Sequence, residues 1–152
     1  MNFILLNHSI PKEAHRIWSV LQAAYKIEAD LIEVADFVPL MRSSENIRSA
    51  KAIFYGCIRD RELIGVCEVE GVADGSAHIA SLGVHPSHFR RGVGAGLVNY
   101  VLNMMSCEQI TVNTAAKNAP AISLYEKLGF SICNRFETYD EVNMVTLKKN
   151  LQ

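Results

Sequence analysis

The sequence predicts one domain of the mixed α/β class over residues 1–152. Two observations carry this prediction. Apolar residues recur with helical spacing in some segments and form β-rich runs in others, so helices and strands share one chain. A strand, a helix and a second strand also follow one another between residues 77 and 113, which is the order of a parallel crossover unit. The predicted order is β–α–α–β–β–β–α–β–α–β–β.

The first half of the chain predicts a strand, two helices and then a strand hairpin. Ser9 and Pro11 are typical of a helix start, and Pro39 ends the helical region. From Ala52 onward the spacing of apolar residues is that of strands. The predicted elements are a strand at residues 3–6, a helix from residue 11 to about residue 27 that residues 31–34 either extend or leave, a short helix at 43–49, and paired strands at 52–58 and 62–69.

The second half alternates strands with helices. Asn118 and Pro120 open the last helix, and Gly129 is typical of a helix that stops in the left-handed conformation. The predicted elements are a polar turn at residues 71–75, a strand at 77–84, a helix at 90–106, a strand at 109–113 parallel to the preceding one, the helix between Asn118 and Gly129, and closing strands at 130–136 and 142–147.

Composition limits the classes of function. Lys and Arg number 15 and Asp and Glu number 16, a net charge of −1, whereas a broad nucleic-acid surface needs a basic excess. No apolar run approaches the roughly 20 residues that span a bilayer. The first eight residues lack the basic leader of a signal peptide. We therefore expect a cytoplasmic protein without a nucleic-acid or membrane partner.

Cysteines and histidines do not form a metal-binding pattern. The four cysteines show no C-x-x-C spacing and lie in apolar surroundings, so buried reduced thiols are expected. His85 and His88 flank Pro86 without an acidic or cysteine partner nearby in sequence. No metal cofactor is predicted.

A glycine-rich turn follows the predicted strand at 77–84. Gly92, Gly94 and Gly96 lie where the next helix begins, and a helix start leaves backbone N–H groups free to bind an anion. Arg90 and Arg91 add positive charge at the same place. The turn lacks the Lys-Ser/Thr ending of a P-loop and the spacing of a dinucleotide fingerprint. It predicts a pyrophosphate-bearing ligand.

Two blocks together resemble the GNAT superfamily of acetyltransferases. The first contains LGVHP at residues 82–86 and RRGVGA at 90–95, and the second is NAPAISLYEKLGF at 118–130. The resemblance implies a single-domain GNAT-like fold, in which helices flank a mixed central sheet splayed between two parallel strands. It also implies that the chain moves an acetyl group from acetyl-CoA to a primary amine.

The resemblance assigns the parts of acetyl-CoA to two stretches. The pantetheine arm would pair with a splayed strand, as added peptide strands do, and the pyrophosphate would lie on the glycine turn. Asn118 would bond the pantetheine or cap its own helix. Phe89 stands where the family commonly has Arg or Gln, and it is expected to pack under the loop. The implied cofactor-binding residues are Leu82, Gly83, Val84, Arg90, Arg91, Gly92, Val93, Gly94, Ala95 and Asn118.

Tyr125 is the implied general acid, because a tyrosine at this place in the family lies near the CoA sulfur. A phenol and a thiol have reference pKa values of about 10 and about 8.5, close enough for proton transfer to the leaving thiolate. The alternative is an ordinary core tyrosine on an apolar helix face.

The general base is less defined. The family commonly places a carboxylate on the strand before the pyrophosphate loop or on the next strand, and the matching positions are Ala80 and Asn113. His78 has the same side-chain parity as Ala80 and Leu82 and is the candidate, because alternate residues of a strand share a face. Glu68 and Glu70 on the adjacent strand are the other options.

Two alternatives stay open beside N-acetylation of a small molecule or peptide. One is a non-catalytic module that binds acyl-CoA, which the missing carboxylates favour and Tyr125 disfavours. The other is a toxin that acetylates aminoacyl-tRNA, which would require a basic surface. Acidic residues in the region 25–49 are suited to a cationic amine or to an ordinary solvated helix face. A homodimer through the last strands is possible in such domains, and no residue pattern decides it.

Overall fold

A computed structural model of the chain describes residues 1–73 and 75–151. The strands are β1 (Asn2–Leu5), β2 (Ile53–Arg59), β3 (Glu62–Ala73), β4 (Ser76–Val84), β5 (Gln109–Ala115), β6 (Ser131–Glu137) and β7 (Asn143–Asn150). The helices are α1 (Pro11–Ile32), α2 (Ser44–Ser49), α3 (Val93–Met104) and α4 (Ala119–Lys127), with short 3-10 turns at Val38–Met41 and Pro86–His88.

One seven-stranded sheet organises the molecule, in the order β1-β2-β3-β4-β5-β7-β6. All neighbouring strands run antiparallel except β4 and β5, which are parallel and joined through α3. The mixed fold class and the predicted parallel pair are therefore confirmed.

Each face of the sheet has its own core. Leu97 and Val101 of α3 pack with Ile110 and Leu147 of the sheet on one face, and Tyr125 of α4 belongs to the same core. On the other face, α1 and α2 bury a second cluster, which includes Ile17, Leu21, Ile47, Phe54 and Val66. Helices thus cover both faces of the sheet. Phe54 and Tyr55, which are neighbours on β2, pack into opposite cores because successive side chains of a strand point to opposite faces.

Several element boundaries differ from the sequence prediction. Helix α1 extends to Ile32, which is the first of the two alternatives for residues 31–34, because Ala29 and Ile32 are buried. Helix α3 begins at Val93 rather than at residue 90, since Arg90 and Gly92 have φ of 63° and 77°, which no right-handed helix accommodates. Strand β3 continues through the predicted turn to Ala73, and Asp74 of that turn lies outside the described residues.

The parallel pair is short. Its register runs from Ser76 opposite Gln109 to Ile79 opposite Val112, and no pairing continues beyond these residues although both strands do. The strands therefore splay apart at their carboxyl ends. Gly129, with φ of 94°, follows α4 as predicted.

A β-bulge in β4 lies at Ala80. Ser81 is opposite Glu68 and Ile79 is opposite Val69, so Ala80 is left without a partner in β3. Gly83, further along the same strand, allows a close approach of another element. A Cβ added at Gly83 would lie 2.9 Å from Leu21 Cδ2 and 3.1 Å from Ala24 Cβ, so this glycine lets α1 pack directly on β4.

The cysteines are divided between core and surface. Cys57 and Cys67 are buried and Cys107 is half-buried, as the sequence indicated. The prediction is wrong for Cys133, which is exposed because β6 lies at the edge of the sheet and most of its side chains face solvent.

Candidate active site

A cleft of about 550 Å³ opens where β4 and β5 splay apart. Its walls come from α1, from the turn at residues 38–41, from β3, β4, β5 and α4, and from the loop between β6 and β7. Of the sequence-predicted site residues, those that line it are Glu70, His78, Leu82, Asn118 and Tyr125. The cleft passes through the plane of the sheet, since Tyr25 belongs to the core on one face and Tyr125 to the core on the other.

The open edge of β4 offers backbone groups to this cleft. The N–H of His85 donates to Ile64 O of β3 at 2.8 Å, so odd-numbered residues of β4 after the bulge point their backbone groups toward β3. Leu82 and Val84 consequently direct theirs toward the gap left by β5. The geometry suits the strand-like pairing of an extended amide chain.

Tyr125 is the most buried polar side chain of the cleft, with 3% of its surface exposed. Its ring meets that of Phe130 edge-on at 5.3 Å between centroids. No residue in the described part of the chain hydrogen-bonds its hydroxyl. Burial raises the pKa of Tyr125, with the nearby Cys67 and Glu28 acting in the same direction, so the phenol keeps its proton.

A chain of hydrogen bonds crosses the opposite wall. Tyr25 donates to Ser81 Oγ at 2.9 Å, and Ser81 donates to Glu68 Oε1 at 2.9 Å. Arg42 holds both oxygens of Glu68, at 2.6 and 2.9 Å. The carboxylate of Glu68 is therefore committed to an ion pair and 3% exposed, which removes it from the candidate bases.

His78 lines the cleft, although the parity argument for it was wrong. The bulge at Ala80 reverses the alternation, so His78 lies opposite Glu70 on the face of Ser81 and not on that of Leu82. Its Nδ1 lies 2.7 Å from Thr111 Oγ1, which fixes the ring. Burial lowers the pKa of His78, partly offset by Glu70, so the imidazole is neutral near pH 7.

Glu28 also lines the cleft, although the sequence indicated it only as part of an acidic region. It lies one turn after Tyr25 on α1, beside Asn118. Burial raises the pKa of Glu28, partly offset by a hydrogen bond with Asn118. The available signal was a carboxylate in the apolar helical spacing of Ile17, Leu21 and Ala24.

The two positions where a carboxylate was expected do face the cleft. Ala80 and Asn113 both line it. Asn113 Oδ1 accepts a hydrogen bond from Thr146 at 2.7 Å. The chain therefore lacks acids at these places while supplying other titratable groups around them.

The glycine turn lies beyond the cleft, at the amino end of α3. Arg90, Arg91 and Gly92 are exposed, and a Cβ at Gly92 would meet nothing within 4 Å. A Cβ at Gly94 would contact Leu124 at 3.4 Å and Val84 at 3.8 Å, so the turn lies between the end of β4 and α4. Asn118 caps α4 by accepting from Ala121 N at 3.3 Å, which realises one of its two expected roles.

Other residues near the turn serve packing. The side chain of Val93 is 2% exposed, so only its backbone faces a ligand. Gly96 packs against the ring of Phe3. Phe89 is 42% exposed, which contradicts the expectation that it packs under the loop, because the short 3-10 turn before it ends with its side chain facing solvent.

The described residues contain no group of three or more His, Cys, Asp or Glu side chains that could hold a metal ion. Within the same residues, no helix has both the length and the apolar character needed to cross a bilayer.

Comparison with protein families gives the acetyltransferase (GNAT) family, whose model matches residues 15–130. The chain belongs to this family. The match includes both the glycine turn and α4, so the resemblance that the two sequence blocks suggested is confirmed.

Relatives of this GNAT-family chain extend the comparison. The UPF0157 protein YqkA of Bacillus subtilis (strain 168) is 33% identical over 129 residues, which are 82% of this chain and 36% of that protein. The chain thus spans about a third of that relative's length.

Solved structures show the same fold at low identity. The ribosomal-protein-S18-alanine N-acetyltransferase from Escherichia coli has a TM-score of 0.77 at 17% identity, covering 98% of this chain and 92% of that chain. The PaiA N-acetyltransferase from Thermoplasma acidophilum, solved in complex with coenzyme A, has a TM-score of 0.77 at 16% identity, covering 99% and 100%.

Proposed function

We propose that this GNAT acetyltransferase moves an acetyl group from acetyl-CoA to a primary amine by direct attack of the amine on the thioester. The observation that carries the proposal is the cleft at the splay of β4 and β5, which brings an open strand edge together with a tyrosine whose hydroxyl has no hydrogen-bond partner among the described residues. A structural neighbour solved in complex with coenzyme A supports the choice of cosubstrate.

Acetyl-CoA would be held in two parts. The free backbone groups of Leu82 and Val84 suit the amides of the pantetheine arm. The unpaired N–H groups of Val93, Gly94 and Ala95 suit the pyrophosphate, with Arg90 and Arg91 beside them. Gly83 contributes by letting α1 approach β4, and Gly92 by adopting the left-handed turn.

Tyr125 would donate the proton that the leaving CoA thiolate takes up. Its raised pKa keeps the phenol protonated and makes it a weaker acid than a free phenol, so a strong hydrogen bond to the thiolate would be part of the transfer. No described residue bonds the hydroxyl, which leaves it available. A proton supplied to the leaving group lowers the barrier to breaking the C–S bond.

His78 would accept the proton of the attacking ammonium, either directly or through water. In the tautomer whose Nδ1–H donates to Thr111 Oγ1, Nε2 would be the acceptor, and the lowered pKa keeps the ring neutral. Glu28 is the second candidate because it lines the same cleft and has a raised pKa.

A CoA-release assay over a panel of primary amines tests the proposal. We expect free CoA to appear only when an amine is present, and mass spectrometry to find the product heavier by one acetyl group. A protein that binds acetyl-CoA and releases no CoA with any amine would instead be the non-catalytic binding module. Salt-dependent tRNA binding would favour the aminoacyl-tRNA alternative. The cytoplasmic location, the homodimer and the extent of the domain stay predictions.

A further inference from the structure

The acceptor end of the cleft has an unbalanced charge. A second cavity of about 470 Å³ adjoins the cleft and shares Tyr25, Pro39, Glu70 and Ala80 with it, so the two form one groove. Carboxylates reach this groove from three directions: Glu28 from α1, Glu70 from β3, and Asp140 from the loop between β6 and β7.

No free cation balances these carboxylates among the described residues that line the groove. Arg42 is the one Arg or Lys there, and Glu68 neutralises its charge, so that three of its five N–H donors are already used. Two bind Glu68, and Nε donates to Asn46 Oδ1 at 2.7 Å. A substrate carboxylate or phosphate would find no positive partner in this part of the groove, whereas an ammonium group would find several negative ones.

The rest of the groove is apolar. Phe37, Val38, Pro39, Val142 and Met144 line it between the carboxylates. Val38 is 60% exposed and Tyr139, at the mouth, is fully exposed, so this apolar surface has no partner within the described chain. Methylene groups pack on such surface, while the many hydroxyls of a sugar would lose hydrogen bonds to water.

Tyr125 adds a polar group to the inner part of the groove. The residue is 3% exposed, lines the cleft and has no hydrogen-bond partner among the described residues. Its hydroxyl is therefore free to bond a molecule held in the cleft, as the proposed acetyl transfer requires.

We infer that the acceptor is an aliphatic diamine or polyamine: an alkyl chain that presents one amine to acetyl-CoA and is held by a second ammonium group against Glu70 and Asp140. This inference rests on the proposed acetyl transfer and specifies its substrate. Glu70 is the stronger anchor, because no described residue forms an ion pair or hydrogen bond with its carboxylate, whereas Asp140 accepts a hydrogen bond from Thr138 at 2.6 Å.

The test compares three acceptors of equal chain length: butane diamine, butylamine and gamma-aminobutyrate. They differ only in the group at the far end, which is cationic, neutral or anionic. We expect kcat/KM for the diamine to exceed that for butylamine by about three- to five-fold, and gamma-aminobutyrate to be the poorest, since Glu70 and Asp140 are exposed and exposed charge pairs discriminate modestly. Added salt should lower the ratio of kcat/KM for the diamine to kcat/KM for butylamine, because it screens the charge pair.

Single substitutions identify the carboxylates that cause the preference for the diamine over butylamine. Glu70→Gln and Asp140→Asn should raise KM for the diamine more than KM for butylamine, with a smaller effect on kcat. Glu62→Gln, at the far end of β3, is the matched control and should leave the ratio between the two amines as it is in the unaltered protein.

Calorimetric titration of the same amines into the CoA-loaded protein separates this inference from the proposed function. If the diamine binds preferentially and no amine releases CoA, the recognition is correct and acetyl transfer is wrong. If CoA is released and butylamine equals the diamine in turnover and in binding, the inference is overturned and acetyl transfer stands. Absence of preferential binding together with absence of turnover overturns both.

Discussion

Ile79 and Val112 form the last pair between β4 and β5, and the cleft begins directly after them. Beyond this pair, β4 keeps its hydrogen bonds to β3 on one side and has none to β5 on the other. The splay opens a passage through the sheet, so groups from the two cores reach one space. Tyr25 of α1 lines the cleft from one face of the sheet, and Tyr125 of α4 lines it from the other face. The position of one strand pair thus decides which side chains can act together.

Removing the hydroxyl of Tyr125 should slow the reaction without unfolding the protein. We expect Tyr125→Phe to lower kcat by about 10²-fold, the lower end of general acid catalysis, with little change in KM for acetyl-CoA. The phenyl ring keeps its edge-on contact with Phe130, so the thermal midpoint should stay near that of the unaltered protein. Steady-state kinetics and thermal melting check both expectations.

Tyr100→Phe is the matched control, because Tyr100 lies in the same core and away from the cleft, stacked on Phe3. Its kcat should equal that of the unaltered protein. A Tyr125→Phe enzyme with full kcat would remove the general acid from the mechanism.

The pH dependence should report His78. A base must be unprotonated to act, and burial holds the pKa of His78 below the ordinary histidine value of 6.5. We therefore expect log kcat/KM to fall as pH decreases through a pKa below 6.5, where His78 becomes protonated. A separate change at higher pH should come from protonation of the amine substrate. His78→Ala should lose the acid limb and lower kcat.

His15→Ala, an exposed histidine of α1, should keep the acid limb. If the limb survives in His78→Ala and disappears in Glu28→Gln, the proton acceptor is Glu28, whose raised pKa would place that limb above 4.5.

Local sequence signals predicted the fold well, and the cofactor-binding residues that they indicate stay a prediction. The glycine turn at 92–96 and the block at 118–130 consist of contiguous residues, whose backbone requirements are visible in one stretch of chain. The residues at the acceptor end of the cleft were harder to predict, because strand register and helix packing bring them together from distant parts of the sequence. The parity of His78 failed at the bulge of Ala80, and a bulge leaves no sequence mark when the extra residue is an alanine.

Glu28 and Glu68 illustrate the same difficulty. Glu28 enters the cleft because Gly83 lets α1 approach β4, which is a contact between residues far apart in sequence. Glu68 looked like a candidate base until the structure brought Arg42 to it across 26 residues. The roles of charged residues depend on such partners, which spacing alone does not reveal.

Gly94 should separate ligand approach from packing. An added Cβ would lie 3.4 Å from Leu124, an ordinary contact, and alanine favours a helix more than glycine does. Gly94→Ala should therefore keep or slightly raise the thermal midpoint. The same Cβ would stand between the backbone and a phosphate, so KM for acetyl-CoA should rise about ten-fold, a loss of ~1.4 kcal/mol in binding.

Gly71→Ala provides the comparison, because its Cβ would meet nothing within 4 Å. The residue lies near the end of β3 that is away from the glycine turn. Its φ of 62° predicts a lower thermal midpoint with an unchanged KM for acetyl-CoA. An unchanged KM in Gly94→Ala would mean that the pyrophosphate does not lie on this turn.

The ion pair of Arg42 and Glu68 should stabilise the wall of the cleft. Their side chains are 19% and 4% exposed, and Trp18 Nε1 also donates to the backbone oxygen of Arg42 at 2.8 Å. Arg42→Ala leaves a buried carboxylate without its cation, so we expect a loss of about 2–4 kcal/mol in the free energy of unfolding, below the full cost for a completely buried pair. This corresponds to a decrease of roughly 5–15 °C in the thermal midpoint.

Two further variants make the Arg42 measurement specific. Arg48→Ala removes an exposed pair with Glu45 on α2 and should leave the midpoint almost unchanged, since exposed pairs contribute little. Combining Arg42→Ala with Glu68→Gln should recover part of the loss, because the uncompensated charge is gone. A double variant as unstable as the sum of both single variants would show that the two side chains stabilise the protein independently, and that the pair does not hold the turn at 38–41 against β3.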